Sequence, residues 1–158
     1  MGDIFSGSEI VEIGIQIEKN GRDFYNSLSG SIKNIKVQEV FKFLAREEEK
    51  HIKAFQGILE KAGKFKDEGL VSDDYFAYMS SLASEQVFTK ENTGIVIAGS
   101  IKTEKAAVEK AINFERESVI FYEGIKKVVP GEDKKIVDYL IEQENMHLRQ
   151  LTELLAVI

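Results

Sequence analysis

Two Glu-x-x-His motifs are the residues of this chain best suited to chemistry. They pair Glu48 with His51 and Glu144 with His147, and they contain both histidines of the sequence. Residues three apart are neighbours on one face of an α-helix, so each motif places a carboxylate beside an imidazole. Carboxylate oxygens and imidazole nitrogens are suitable ligands for divalent metal ions. Each motif therefore predicts half of a metal site.

Two further glutamates, Glu18 and Glu115, lie on the predicted helices that precede the two motifs. Four Glu and two His that face the interior of a four-helix bundle are the ligand set of a carboxylate-bridged site for two metal ions. The predicted metal ligands are therefore Glu18, Glu48, His51, Glu115, Glu144 and His147.

A solvated helix face is the alternative explanation for the first motif, because Glu48 lies within the acidic run 47–49. Against it, Glu48 and His51 fall on the apolar stripe that includes Leu44, whereas Glu47 and Glu49 are predicted to lie off this stripe. Charged residues are rarely left in a core unless they are paired or bind a metal. The conflict between position and residue type favours the metal site.

An internal repeat connects the two halves of the chain. At an offset of 97 residues Glu18 aligns with Glu115, and at an offset of 96 each residue of the first motif aligns with its counterpart in the second. Two similar helical hairpins would give a pseudo-symmetric bundle, with one copy of the ligand set in each half.

Tyr25 and Tyr122 also align in the repeat, and each lies seven residues after one of the upstream glutamates. One interpretation is that both are core aromatics whose hydroxyl groups need a partner. The other is that each hydroxyl donates a hydrogen bond to a ligand carboxylate and orients it.

The donor types limit the metal. Carboxylate and imidazole suit iron or manganese, and zinc is a further occupant that such a site accepts. Two iron ions fit dioxygen or peroxide chemistry, whereas zinc would support hydrolysis, for which the sequence offers no base, nucleophile or substrate cleft.

Composition excludes several classes of protein. The 158 residues contain no cysteine, which excludes disulfides, thiolate zinc sites, iron–sulfur clusters and rubredoxin-type iron. The net charge of −6 argues against nucleic acid or an anionic membrane as the main partner. We see no signal peptide and no apolar run long enough for a membrane span, so we expect a cytoplasmic protein.

Apolar periodicity predicts four long helices in one domain that spans residues 1–158. Gly14 and Gly21 lie on the apolar stripe of the first helix and predict that another helix approaches closely. The predicted helices begin near Ser6, Asn34, Thr103 and Glu132, and they end at Ser29–Ser31, Ala62–Gly63, Pro130 and the C-terminus.

Residues 63–100 are predicted to form a long connection that contains a short helix at Asp73–Ala83, and Thr93–Ile101 is compatible with a second. This stretch is too long for a simple loop between helices, and it suits the single long crossover of ferritin-like bundles. The predicted fold is all-α, a ferritin-like four-helix bundle of two hairpins joined by a crossover that contains a short helix.

Four segments carry a more specific combination of motifs. They are IEKNGRDFY at 17–25, FLAREEEKH at 43–51, FERESVIFY at 114–122 and ENMH at 144–147. Together they resemble the rubrerythrin-like branch of the ferritin-like superfamily over nearly the whole chain. The resemblance implies a di-iron centre that reduces hydrogen peroxide or handles dioxygen, commonly in a homodimer.

The same resemblance implies a role for each ligand. Glu18 and Glu115 would be terminal or bridging carboxylates, and Glu48 and Glu144 would be bridging ones. His51 and His147 would supply one imidazole to each iron, and Tyr25 matches a tyrosine beside the centre.

Two features depart from the pattern of rubrerythrins. These proteins carry a C-terminal rubredoxin domain with four cysteines, so a chain without cysteine would need an external electron donor such as a rubredoxin-type protein. They also have an additional Glu one turn after the third-helix ligand, where this chain has Ser118. Two other functions therefore stay open: a ferroxidase that handles iron as its substrate, and a non-catalytic helical metal-binding module.

Overall fold

Four long helices and two short ones make up most of the computed structural model, which describes residues 4–60, 70–84, 89 and 91–158. The elements in chain order are β1 (Ile4–Ser6), α1 (Gly7–Ser29), α2 (Ile35–Leu59), β2 (Leu70–Ser72), α3 (Asp73–Ser84), α4 (Gly94–Ser100), α5 (Glu104–Lys126), a 3₁₀ turn (Gly131–Asp133) and α6 (Lys134–Leu155).

The long helices form the predicted bundle of two hairpins. Helix α1 packs along α2 and α5 packs along α6, and the hairpins meet through α1 with α5 and through α2 with α6. The apolar stripes predicted for the long helices are largely buried and merge into one core. Within the described residues, no helix combines the length and the apolar character needed to cross a membrane.

Side chains that precede the helices fix where two of them begin. The Asn34 side chain accepts a hydrogen bond from the Val37 N–H at 3.2 Å, and the Thr103 hydroxyl accepts one from the Ala106 N–H at 3.0 Å. Such caps satisfy backbone donors that have no partner within the helix. The predicted starts at Asn34 and Thr103 are confirmed.

Three predicted helix ends were wrong by a few residues. Helix α2 ends at Leu59 rather than Ala62, and Gly63 lies outside the described residues. Helix α5 ends at Lys126, and its last turn tightens ahead of Pro130, because the residue before a proline disfavours the helical conformation. The last helix begins with the 3₁₀ turn and ends at Leu155, before the C-terminus.

The crossover contributes both predicted short helices and one element that periodicity did not reveal. Strand β2 pairs antiparallel with β1, so the crossover is joined to the start of the chain. Helix α3 contacts α5, where the Tyr75 hydroxyl donates to the Gly124 carbonyl at 2.7 Å. Helix α4 lies against α1, where the Gly94 N–H donates to the Asn20 side chain at 3.1 Å. The predictions for residues 61–69, 85–88 and 90 lie outside the described part of the chain.

Gly21 allows the close approach of α1 and α5 that the sequence predicts. A Cβ atom at this position would collide with the ring of Phe114, which is completely buried. Gly14 is similar, since a Cβ there would lie 2.8 Å from the Ile125 Cδ1 atom. These two glycines bring together the helices that carry Glu18 and Glu115.

Replacing Gly21 with alanine should destabilise the protein, because the buried Phe114 ring has to move. We expect the free energy of unfolding to fall by about 1–3 kcal/mol in urea denaturation, as in other overpacked cores. Gly57→Ala is the matched control, since nothing lies within 4 Å of its added Cβ. Alanine there should raise the free energy of unfolding by about 1 kcal/mol through helix propensity. Equal effects of the two substitutions would contradict the close packing.

Candidate metal centre

The six predicted ligands converge on one buried site in the middle of the bundle. All four glutamates are completely buried, and both histidines are 2% exposed. Helices α1 and α5 each contribute one Glu, and α2 and α6 each contribute a Glu-x-x-His motif. The spacing places each motif on one helix face. That face is buried in the core because the residues around the motif are apolar.

The six residues form two overlapping groups, each of which could hold a metal ion. One group contains Glu18, Glu48, His51 and Glu144, and the other contains Glu48, Glu115, Glu144 and His147. In each group the four ligand atoms lie within 4.8 Å of one another. Glu48 and Glu144 belong to both groups, so the geometry suits two adjacent cations with these two carboxylates between them.

The Nδ1 atoms of both histidines face the carboxylates. His51 Nδ1 lies 2.7 Å from Glu144 Oε1 and 3.4 Å from Glu18 Oε2. His147 Nδ1 lies 3.7 Å from the same Glu144 oxygen and 3.9 Å from Glu115 Oε2. The two imidazole rings are stacked with their centroids 5.7 Å apart.

The polar atoms of this centre lack the partners that buried groups normally have. Apart from Glu115 Oε1, no side-chain oxygen or nitrogen of the six residues has a well-aligned hydrogen bond in the described part of the chain, even where His51 Nδ1 and Glu144 Oε1 lie 2.7 Å apart. No described lysine or arginine forms an ion pair with the four carboxylates. Leaving buried charges unpaired is costly. Metal cations would satisfy both the charge and the open lone pairs, so the residues fit a two-metal site.

Burial changes the protonation of the centre. It raises the pKa of Glu115 well above its ordinary value, and the nearby charge of Glu144 raises it further. Burial also raises the pKa of Glu144. Burial and the neighbouring His51 lower the pKa of His147 to about 4. Without a cation, Glu115 and Glu144 therefore favour their protonated forms, and His147 is neutral at neutral pH.

The two predicted tyrosines differ in their contacts. The Tyr25 hydroxyl donates a hydrogen bond to Glu115 Oε1 at 2.7 Å, which links α1 to α5. The Tyr122 hydroxyl is equally buried, but it has no hydrogen-bond partner among the residues that the structure describes. Burial raises the pKa of both tyrosines, so both hydroxyls keep their protons. Tyr25 donates a well-aligned hydrogen bond to a predicted ligand, whereas Tyr122 lies near Glu18, whose charge adds to burial in raising the pKa of Tyr122.

Ser118 is buried one turn after Glu115, and its hydroxyl donates to the Phe114 carbonyl of its own helix at 3.0 Å. It therefore belongs to neither of the two ligand groups.

Glu47 is the residue whose position the sequence interpretation placed incorrectly. It was predicted to lie off the apolar stripe, yet it is only 8% exposed and lies near His147. Its helical spacing gave a usable signal, because it follows Leu44 by three residues and precedes His51 by four. The buried face of α2 is wide enough to include both Glu47 and Glu48.

A four-helix bundle that directs two Glu and two Glu-x-x-His motifs into one buried site is ferritin-like. Residues 9–155 match the family model described as Rubrerythrin, and the chain belongs to that family.

Two further comparisons gave similar proteins, of which one is a solved structure. A Thermotoga maritima protein described as ferritin-like and diiron-carboxylate superimposes with a TM-score of 0.75 over 99% of this chain and 98% of its own, at 22% identity. At that identity the likeness concerns the fold. An uncharacterized protein from Archaeoglobus fulgidus is 35% identical over 51 residues, which are 32% of this chain and 81% of that protein.

Replacing Glu115 with glutamine should stabilise the metal-free protein. The raised pKa means that the ionised carboxylate destabilises the fold, while the amide oxygen can still accept from Tyr25. We expect a gain of about 1–3 kcal/mol near pH 8, which disappears as the pH falls below about 4.3 and the carboxyl is protonated in both states. Urea unfolding of chelator-treated protein measures this gain in the free energy of unfolding. Glu109→Gln is the control, because Glu109 is exposed. A loss of stability at pH 8 would contradict the unpaired charge.

Tyr25→Phe should destabilise the protein more than Tyr122→Phe does. The first substitution removes the one hydrogen bond to Glu115 Oε1 that the described residues make, which costs about 1–3 kcal/mol for a buried acceptor. The second removes a hydroxyl without a described partner, so we expect less than about 1 kcal/mol. Urea denaturation of both variants at one pH provides the comparison. An equal loss in the free energy of unfolding would show that the Tyr25–Glu115 hydrogen bond adds nothing to stability.

Proposed function

We propose that this centre binds two iron ions and reduces hydrogen peroxide or dioxygen. The observation that carries this proposal is the pair of buried ligand groups that share Glu48 and Glu144. Each group offers carboxylate oxygens and one imidazole nitrogen, a donor set that suits iron or manganese. The likeness to a protein described as diiron-carboxylate supports iron.

Redox chemistry fits the site better than hydrolysis does. When bound, a ferrous pair would supply electrons to the O–O bond of the oxidant. The protein groups around the centre are carboxylates, imidazoles, tyrosine hydroxyls and apolar side chains. The six predicted ligands are buried, and the two groups they form contain no serine, lysine or cysteine nucleophile.

A cleft beside His147 offers a route for a small oxidant. It has a volume of about 260 Å³, and Phe43, Met146 and His147 are among the residues that line it. The ring of Phe43 meets the His147 imidazole edge-on, with the centroids 6.0 Å apart. Because His147 belongs to one ligand group and Met146 is exposed, we expect a small oxidant to approach the centre from this side.

The reaction would also need a fixed ligand carboxylate, which a buried tyrosine hydroxyl would hold, and an external reductant to supply electrons. Reducing hydrogen peroxide to two molecules of water takes two electrons and two protons. Tyr25 keeps its proton and holds Glu115, so its part is to fix the carboxylate. Because the sequence contains no cysteine, we propose that a rubredoxin-type protein delivers the electrons.

Anaerobic addition of ferrous iron followed by hydrogen peroxide tests this function. We expect two irons per chain and rapid oxidation that a chemical reductant can reverse over many cycles. The double variant E48A/H51A should lose both metals and turnover, since Glu48 is common to both groups. Glu12→Ala is the control, because this carboxylate is exposed on α1. Inductively coupled plasma analysis gives the metal content, and stopped-flow absorbance gives the rate.

Other results would point to the other functions. Growth of a mineral with many irons per chain would identify iron as the substrate and make the protein a ferroxidase. Two tightly bound metals that peroxide and dioxygen leave unchanged would indicate a non-catalytic metal-binding module. Full metal binding by E48A/H51A would show that the site lies elsewhere.

A further inference from the structure

Glu47 is a buried carboxylate that belongs to neither ligand group. Its side chain lies on the same helix as His51, yet it reaches towards α6. Its Oε1 atom pairs with the Lys50 ammonium at 2.7 Å, and its Oε2 atom lies 4.0 Å from His147 Nε2. Lys50 therefore engages one oxygen, and the other faces the imidazole.

His147 thus lies between two sets of carboxylates. Its Nδ1 atom faces Glu144 and Glu115, and its Nε2 atom faces Glu47. A histidine that binds a metal through one nitrogen almost always donates the N–H of the other nitrogen to a carboxylate, a backbone carbonyl or water. Glu47 is the described carboxylate that faces this nitrogen, and the 4.0 Å between Oε2 and Nε2 would have to shorten by about 1 Å for the hydrogen bond to form.

The other half of the bundle lacks this arrangement. The ion-pair contacts that the described residues make with His51 are all made through its Nδ1 atom. In the internal repeat, Glu47 aligns with Gln143 at the offset of 96 that also aligns the two motifs. An amide has replaced the carboxylate, so the two halves of the site differ in charge.

An ion pair with Lys50 alone does not account for the burial of Glu47. The Lys50 side chain is 72% exposed, and a pair of this kind contributes little to stability. Burying the carboxylate has a cost that a partner on the inner side would offset. The imidazole of His147, 4.0 Å from Glu47 Oε2, is the described group on that inner side.

We propose that Glu47 is a positioning residue that accepts the Nε2–H hydrogen of His147 and directs Nδ1 towards the metal. The group formed by Glu48, Glu115, Glu144 and His147 then binds its metal more tightly than the group that contains His51. This inference rests on the proposed function only in requiring that the centre binds metal, and it does not depend on the reaction.

Cobalt(II) titration of the metal-free protein, followed by the visible absorption of bound cobalt, tests this role. We expect two binding steps in the wild type. Glu47→Gln keeps an acceptor oxygen but removes the charge that makes the imidazole more basic, so it should weaken the tighter step by about 10–100-fold and change the affinity of the other step by less than about 3-fold. Glu49→Gln is the matched control, because it removes a neighbouring carboxylate that pairs with Arg22 instead. It should change neither step.

Three further variants separate this role from a general loss of structure. In a His147→Ala background, Glu47→Gln should have no additional effect on cobalt binding, since coupled residues are non-additive. Lys50→Ala should leave both steps unchanged. Glu47→Asp keeps a carboxylate and should retain more of the tighter step than Glu47→Gln does.

Several results would overturn the inference. One is Glu47→Gln lowering the cobalt affinity of both steps equally, or of neither. Another is Lys50→Ala lowering the affinity of the tighter step as Glu47→Gln does. A third is Glu47→Asp losing as much affinity as Glu47→Gln. A wild type that binds cobalt in two steps but does not reduce peroxide would contradict the proposed reaction and leave this inference intact. A wild type that binds no cobalt would overturn both.

Discussion

The buried cluster of four carboxylates is the constraint on which the rest of the structure depends. Like charges at this distance repel one another, and burial removes the water that would otherwise stabilise them. Among the described residues, no lysine or arginine neutralises them. The surrounding bundle has to be stable enough to hold these groups without a cation, and completely buried aromatic residues such as Phe24, Phe41 and Phe114 supply much of its apolar contact.

The close approach of α1 and α5 follows from the same requirement. Gly21 lets these helices pack against the Phe114 ring, and this contact brings the two upstream glutamates to opposite sides of the site. The Tyr25–Glu115 hydrogen bond then joins the same pair of helices next to the ligands. Packing and ligand orientation therefore depend on one helix–helix interface.

The two halves of the repeat are not identical at the site, because matching residues differ in their hydrogen bonds and in their charge. Tyr25 holds a ligand while Tyr122 has no described partner. Glu47 faces one imidazole, whereas the matching residue of the other half is the amide Gln143. The two ligand groups thus contain similar residues but have different surroundings, and this difference would give two bound cations different affinities.

The sequence by itself determined the four long helices, the faces they bury and the six residues that converge. Helical spacing is a local property, so Glu48 and His51 could be assigned to a buried face without knowledge of the fold. Only the tertiary structure decided which residues meet across helices. It paired Tyr25 with Glu115, placed His51 beside Glu144 and turned Glu47 towards His147. The pairing of β1 with β2 likewise joins distant segments. The physical reason is that periodicity defines one side of each helix, whereas the partner of that side depends on how close the helix axes lie and how side chains such as Phe114 fill the space between them.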